Sequence, residues 1–572
     1  MTTYSLDLEV LLALPLAVLA QTEGGVDQLL QDPLLLLEAI REAGERIQVF
    51  VDEGGIAVPG VSRALYGALE TSVHPVKAPN GGAFHPKVWL ARFVAEASPP
   101  LIRVSVASRN LTFDRSWDIA LTSEASPGKK RVTASKPLAA LLRSLPALAS
   151  GNEKLDDSVV SAIALLADEV AYTDFPAPEE FSGDVAFHVL GLDQQGKLWE
   201  PVEQARRVLA IAPFASAKAL NHIAGLVFDE SMLISRTEEL ARLPEVFSES
   251  WDSVRVLSQT AEGEPEDGSR THLSGLHAKL MVFEQGHQAT WFVGSANLTD
   301  AALRGNNVEV MASVSGPRGR PGSSRGVGID QFLDAGFLNL CEDYQPQAHA
   351  IESDKDRQAA EKLEQVRKAL LGAELRVVCS SAEKDWQLLI QGSVEIPQEV
   401  MVNVWPLSVE GHQAKPWQNG VSWFLPMARL TAFTAFSLKV AGYDEELRFA
   451  IKLPVAGMPD SRIHHVLRTL IDSPERFLQF LRALLGGLEE IGNFVRDKPG
   501  QSWNFSSSQG LRGEPLLEDM LRAASRDPQR LAPVRRLIAD LRQSEEGCQI
   551  VPDDLYELWQ VLESVLTNRE IP

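Results

Sequence analysis

The residues best suited to chemistry in this chain of 572 residues come as two copies of one set. His85-Pro86-Lys87 is followed by Ser108-Arg109-Asn110, and His277-Ala278-Lys279 is followed by Ser295-Ala296-Asn297. His and Asn are 25 residues apart in the first copy and 20 in the second, and each Asn begins the triplet Asn-Leu-Thr. One His-x-Lys arises by chance in a chain of this length, whereas two copies, each with the same second motif behind it, point to an internal duplication. Together these groups suit attack on a phosphodiester. Ammonium and amide donors stabilise negative charge on nonbridging oxygens. One imidazole attacks phosphorus while another, in line on the far side, protonates the leaving oxygen, and water completes a second displacement without any metal or cofactor. Each imidazole also needs an acceptor on its other nitrogen. Asp118 and Glu309, 8 and 12 residues past the two Asn positions, are the candidate carboxylates.

The elements that must position these groups repeat as well. In a strand, residues i and i+2 share a face, so each His is expected beside its Lys, with Asn110 and Asn297 delivered by the end of a neighbouring strand. The first copy reads as a strand at 46–51, a Gly-rich turn, a strand at 84–93 and β-rich sequence at 102–121. The second has strand sequence at 207–216, 276–283 and 290–311. Helical stretches at 34–43 and 159–170 interleave with these runs and suggest layered α/β structure. A Gly-, Pro-, Ser- and Arg-rich segment at 314–330 reads as a loop. A charged helix is expected near 354–371. Alternating runs from 375 to 453 read as a small antiparallel β-sandwich. Beyond Pro459 the pattern turns helical, with an apolar stripe of Phe477, Leu478, Leu481, Leu484 and Leu485 before Gly486-Gly487. The implied division is a first lobe at 1–175, a second at 176–350, the sandwich at 372–458 and a helical region at 459–572.

At the two His/Lys/Asn sets the sequence resembles the phospholipase D superfamily, with matching motifs at 84–121 and 276–311. The resemblance implies two α/β/α lobes related by a pseudo-twofold axis, over roughly residues 40 to 315. The superfamily usually carries Asp five residues after the Lys, where this chain has Arg92 and Glu284. That departure, together with the GGAFHPK, PFAS and SANLTDAALRG segments, is more similar to tyrosyl-DNA phosphodiesterases and divergent bacterial nucleases than to lipid hydrolases. Carried over, the resemblance implies His85 as the nucleophile and His277 as the general acid and then base. Lys87, Lys279, Asn110 and Asn297 would bind phosphate oxygens. Glu309 would support His85 and Asp118 would support His277 across the axis, with Ser108 and Ser295 as donors behind them. It further implies a nucleic-acid substrate, DNA in preference to RNA, and a helicase or other ATPase partner in an antiphage defence setting.

Composition limits the alternatives. With 45% apolar and 23% charged residues the chain is an ordinary globular protein, and 54 basic against 77 acidic residues give a net charge of −23. A uniformly positive nucleic-acid coat is excluded, so an anionic substrate must be held locally. Three widely spaced cysteines, Cys341, Cys379 and Cys548, form neither a disulfide framework nor a zinc set, as suits a reducing cytoplasm. Leu8 to Ala20 is apolar but lacks the basic leader of a signal peptide and is read as a buried helix; no apolar run reaches membrane-spanning length. Arg318, Arg320 and Arg325 are candidate nucleic-acid contacts in the loop after the second copy. His464-His465 reads as a solvated or capping pair, His272 and His287 as loop residues, and Trp117 and Trp291 as core. A lipid hydrolase and a non-catalytic nucleic-acid scaffold are the competing readings.

Overall fold

The computed structural model describes residues 1–20, 44–149, 155–193, 196–243, 250–258, 274–320, 322–323, 325–345, 354–463, scattered positions between 465 and 524, 531–542 and 545–569. The chain forms two compact units. The first comprises Met1–Asp7, Val49–Ala57 and Val73–Lys362, and the second Leu8–Gln48, Val58–Ser72 and Leu363–Pro572.

In the first unit, β1 (Thr2–Thr3), β2 (Val49–Asp52) and β3 (Val73–Val76) make a small parallel sheet. The first motif copy contributes β4 (Val88–Phe93), β5 (Leu101–Ala107), β6 (Arg115–Trp117) and β7 (Ala120–Ala125), of which β4, β5 and β7 pair as an antiparallel meander. After β8 (Ser182–Leu190), β9 (Ala205–Ile211), β10 (Val227–Ser235) and β11 (Ser253–Leu257), the short β12 (Ser274–Leu276) pairs with β6 alone. The second copy then repeats the meander with β13 (Leu280–Gln285), β14 (Gln288–Gly294) and β15 (Glu309–Pro317). With β16 (Cys341–Asp343) these form an eight-stranded mixed sheet ordered β16-β11-β10-β9-β13-β14-β15-β8.

The central strands are apolar on both faces because both faces are covered. Leu209, Ile211, Leu280, Val282, Val310 and Ala312 point into one core, while Val208, Ala210, Met281, Phe283 and Met311 point into another. The first core also contains Val88, Val104, Val106 and Leu121 from the first copy, so the two meanders share it. Helices Lys136–Leu148 and Asp157–Ala171 pack there, and Ala217–Ala224 packs in the second core.

Several expectations change. The His-x-Lys residues precede β4 and β13 rather than lying in them. The His85 N–H is bonded to Val308 and Pro86 has no N–H, so neither can join the β4 ladder. The loop read at 314–330 shortens to 318–328, because β15 runs to Pro317 and a helix starts at Ile329. The helical stretch at 34–43 lies outside the described residues, whereas 159–170 falls within Asp157–Ala171.

In the second unit, Leu8–Ala20 is helical and Leu8, Leu11, Leu12 and Ala13 are buried. Two four-stranded sheets follow the charged helix Asp354–Gly372. One comprises β17 (Arg376–Ser381), β18 (Trp386–Gln391), β21 (Val421–Leu425) and β24 (Val455–Ala456). The other comprises β19 (Val400–Pro406), β20 (Lys415–Pro416), β22 (Phe433–Val440) and β23 (Glu446–Lys452). Glu70 accepts from both terminal nitrogens of Arg462, at 3.0 and 2.9 Å, and from Thr431 and the Ala432 N–H. Of the C-terminal apolar stripe, Phe477 and Leu481 are buried with Leu537 and Trp559 in a helical core; Leu484, Leu485, Gly486 and Gly487 lie outside the described residues. Among the described residues no helix is long and apolar enough to cross a membrane.

Gly294, the last residue of β14, has no room for a side chain, since a Cβ there would lie 2.1 Å from the Val310 carbonyl oxygen. Gly294→Ala is therefore expected to lower the urea midpoint by the equivalent of about 1–3 kcal/mol. Gly196→Ala, with nothing within 4 Å of the new carbon, should stay near the parent value. Equal midpoints for the two variants would contradict the close approach of β14 to β15.

Candidate active site

Each motif copy supports the histidine of the other. The His85 N–H donates to Val308 O at 2.9 Å, and the His277 N–H donates to Trp117 O at 2.9 Å. Val308 and Trp117 are the residues just before Glu309 and Asp118, so the same backbone bond aligns each imidazole with a carboxylate from the opposite copy. His85 Nδ1 lies 2.8 Å from Glu309 Oε2, and His277 Nδ1 lies 2.9 Å from Asp118 Oδ1. An ionised carboxylate only accepts, so both Nδ1 atoms carry hydrogen and each Nε2 is the ring position left to gain or lose a proton.

The carboxylates are themselves held by the two serines. Ser108 Oγ donates to Asp118 Oδ1 at 2.6 Å and accepts from the Ile119 N–H at 2.9 Å. Ser295 Oγ donates to Glu309 Oε2 at 2.5 Å and accepts from the Val310 N–H at 3.0 Å. Both serines are fully buried.

Lys87 and Lys279 are buried to 0 and 1% exposure. Each Nζ donates to the carbonyl of its own histidine, at 3.1 Å for Lys87 and 2.7 Å for Lys279. Lys87 Nζ also donates to His85 Nε2 at 3.1 Å. Asn110 Oδ1 accepts from the Ser5 N–H at 3.4 Å, whereas Asn297 Oδ1 is buried with no hydrogen-bond partner.

The charges of all six titratable groups act on one another. Burial lowers the pKa of His85 to about 4, against the opposing pull of Glu309, and both Lys87 and Lys279 lower it further. His277 is lowered by burial, with Asp118 opposing and Lys279 and Lys87 assisting. Burial brings Lys87 down to about 7 despite Glu309, Asp118 and Asp52. Lys279 falls well below its usual value through burial and repulsion from Lys87. Burial would raise Asp118 and Glu309, but His277 and His85 respectively, with the lysines, hold both carboxylates below the usual range.

The copies differ at the second carboxylate oxygen. Asn307 Nδ2 donates to Glu309 Oε1 at 3.2 Å, whereas Arg109 Nη1 stands 3.6 Å from Asp118 Oδ2. Sequence reasoning passed over both, although Arg109 sits inside the Ser-x-Asn motif and Asn307 two residues before Glu309. It also missed Tyr4, whose ring centroid is 5.0 Å from that of His85 and 5.9 Å from Lys87 Nζ, and Asp52, whose Oδ1 accepts the Phe84 N–H at 2.7 Å. No local pattern ties those two to the motif.

Arg92 and Glu284 have structural partners. Arg92 forms a two-pronged pair with Glu169 at 2.7 and 2.8 Å. Buried Glu284 accepts the Ile329 N–H at 2.9 Å and has Arg207 at 3.4 Å and Arg318 at 3.8 Å. The loop arginines stand apart from the paired histidines. Arg318, Arg320 and Arg325 follow Pro317, at the opposite end of β15 from Glu309 and about 26 Å along the strand. His287 occupies the β13–β14 hairpin at that same far end. Trp291 packs edge-on against Phe181 and Phe332, but Trp117 is 41% exposed, contrary to expectation, because among the described residues β6 pairs with the short β12 alone. His465 is half-buried and bonds Ser461 O at 3.2 Å; His464 and His272 lie outside the described residues.

No protein-family model matches this chain, and no curated protein matches it. Solved structures similar to it include yeast tyrosyl-DNA phosphodiesterase, 13% identical, with a TM-score of 0.30 over 47% of this chain and 77% of that one. A mutant of the same yeast enzyme is 11% identical, with a TM-score of 0.32 over 49% of this chain and 78% of the other.

The electrostatics can be read directly. In histidine-labelled protein, His85 is expected to titrate near 4, and Glu309→Gln should move it lower still, because the charge that opposes the effect of burial is removed. A midpoint at or above the ordinary histidine value in the unaltered protein would contradict the buried arrangement.

Proposed function

We propose that this protein is a phosphodiesterase of the phospholipase D type that cleaves DNA through a covalent phosphohistidine, with no metal in the reaction. The observation that carries this reading is the duplicated His–carboxylate–Ser network, in which each half completes the other around two buried lysines. On this reading the two copies act as pseudo-twofold lobes of one site.

In the first step His85 Nε2 attacks phosphorus. The N–P bond forms, the P–O bond to the leaving strand breaks, and the leaving oxygen takes the proton of His277. Water then attacks phosphorus and gives its proton to the now neutral His277. The N–P bond breaks, releasing a phosphate monoester and restoring both rings. For His85 to attack, Lys87 Nζ moves from Nε2 to a phosphate oxygen, which compensates its buried charge better than a neutral ring does. Lys279 Nζ and the Nδ2–H groups of Asn110 and Asn297 donate to the remaining oxygens.

The unequal second oxygens support this division of labour. Glu309 has a neutral amide rather than a guanidinium at its second oxygen and so lends more of its charge to His85, which favours nucleophilicity. Asp118 shares its charge with the nearby Arg109 guanidinium, which leaves His277 the readier proton donor. A helicase or other ATPase partner in an antiphage setting belongs to this reading through the resemblance alone, and co-purification from the native host tests it.

Cleavage of plasmid, linear and single-stranded DNA in EDTA is the direct test. The parent protein should cleave at least one of them, and His85→Ala should reduce the rate by at least about 10²–10⁴-fold. His277→Ala should accumulate a radiolabelled covalent protein–DNA adduct stable to denaturant and labile to acid. Absence of cleavage in EDTA with full recovery on adding magnesium would reject the mechanism.

The pH profile has a worked sign. His85 must be unprotonated, so kcat/KM should rise as pH passes about 4. His277 must carry a proton for the leaving oxygen and Lys87 must be charged, so kcat/KM should fall as pH rises through the lowered pKa of His277 and then passes about 7, where Lys87 deprotonates. An optimum on the alkaline side of 8 would contradict this assignment.

A further inference from the structure

Three exposed aromatic rings stand within a few residues of the reacting groups, and none has a part in the steps above. Trp117, 41% exposed, adjoins Asp118 and through its carbonyl holds the backbone of His277. Phe113, 50% exposed, lies three residues beyond Asn110. Phe214, 41% exposed, follows β9 next to Ala215, which bridges to Leu298 beside Asn297. Cationic groups accompany these rings. The Arg236 guanidinium is 5.3 Å from the Phe214 ring centroid, and its Nε donates to the Leu276 carbonyl, one residue before His277, at 2.6 Å. Arg109, 38% exposed at its side chain, is salt-bridged to Asp114 at 3.3 Å, next to Phe113 in the chain.

Exposing a large aromatic ring costs apolar hydration, and three such rings beside one phosphate-binding set are readily explained by a ligand that covers them. Bases of a single strand present open π-faces and stack on aromatic side chains, whereas bases inside a duplex are already stacked on each other. Arginine against an aromatic ring adds a cation to the platform. Resting on the phosphodiesterase reading above, we infer that Trp117, Phe113 and Phe214 form a base-stacking rim that selects single-stranded DNA, or a strand frayed from its complement, for the site. The arginines beside the rings steer the backbone into a protein whose net charge of −23 would otherwise repel it. The phosphate is gripped by the buried lysines and the flanking nucleotides by the rim.

Binding tests this independently of cleavage. Full-length His85→Ala protein in EDTA is titrated with a fluorescent 20-nucleotide oligo(dT) and with its blunt duplex on oligo(dA). The single strand should bind more tightly. Adding Trp117→Ala or Phe214→Ala should weaken single-strand binding by at least about fivefold each, the lower end of what one stacked base contributes, with much less effect on the duplex. Trp117→Phe and Phe214→Tyr should restore it, and thermal melts should show all variants folded. Equal losses on both polymers, or no loss in folded variants, would overturn the rim. So would parent protein that ignores both polymers but binds phosphatidylcholine vesicles through the same rings. Failure of EDTA cleavage with strand-selective binding intact would reject the enzymatic reading and leave the rim standing.

Discussion

Two ammonium groups buried almost completely, Lys87 and Lys279, are the constraint around which the first unit is built. Removing such a charge from water costs on the order of several kcal/mol even after relaxation. The protein offsets it with Asp118 and Glu309, whose charges act on both lysines, and with carbonyls of the histidines. The compensation is incomplete, since both lysines stay well below their usual pKa and repel each other. A residual demand for negative charge is therefore built into the site. On the reading proposed above, an anionic phosphodiester meets that demand locally in an otherwise acidic protein.

The repeated arrangement also explains why so much of the site was legible in the sequence. His85, Lys87, Ser108, Asn110 and their counterparts recur as a pattern because the same three-strand meander is built twice, each time placing the His-x-Lys before one strand and the Ser-x-Asn after the next. Asp118 and Glu309 follow because each begins the return to the third strand. Tyr4 and Asp52 were not legible, since they come from the parallel sheet of β1, β2 and β3 and reach the first His only through tertiary structure. Trp117 was misread because an aromatic ring in a short strand is buried only if that strand has neighbours. The distance of the loop arginines from the paired histidines was not legible, because adjacency in sequence does not say which end of β15 the loop leaves from. The layered α/β character was visible in the apolar runs, but the return of 8–48 and 58–72 to the second unit was not, because those excursions carry no compositional mark.

Arg92 and Glu284 show why a departure from a family pattern need not damage a site. Both lie down-strand from the lysines and are neutralised locally, Arg92 by Glu169 and Glu284 by Arg207 together with the start of a helix. One position lies on an edge strand and the other on an interior strand, and at each an ionised side chain is tolerated because a partner of the opposite sign is supplied.

The exchange of carboxylates between the two copies has a consequence for biosynthesis. His85 meets its partner 224 residues later in the chain, and His277 meets one made 159 residues earlier. A nascent or truncated polypeptide ending before residue 309 therefore displays His85 without the carboxylate that orients it. The pairing is complete only once the second meander has been made and folded against the first. On the nuclease reading proposed above, this long-range dependence is a safeguard against active fragments, supplied by topology.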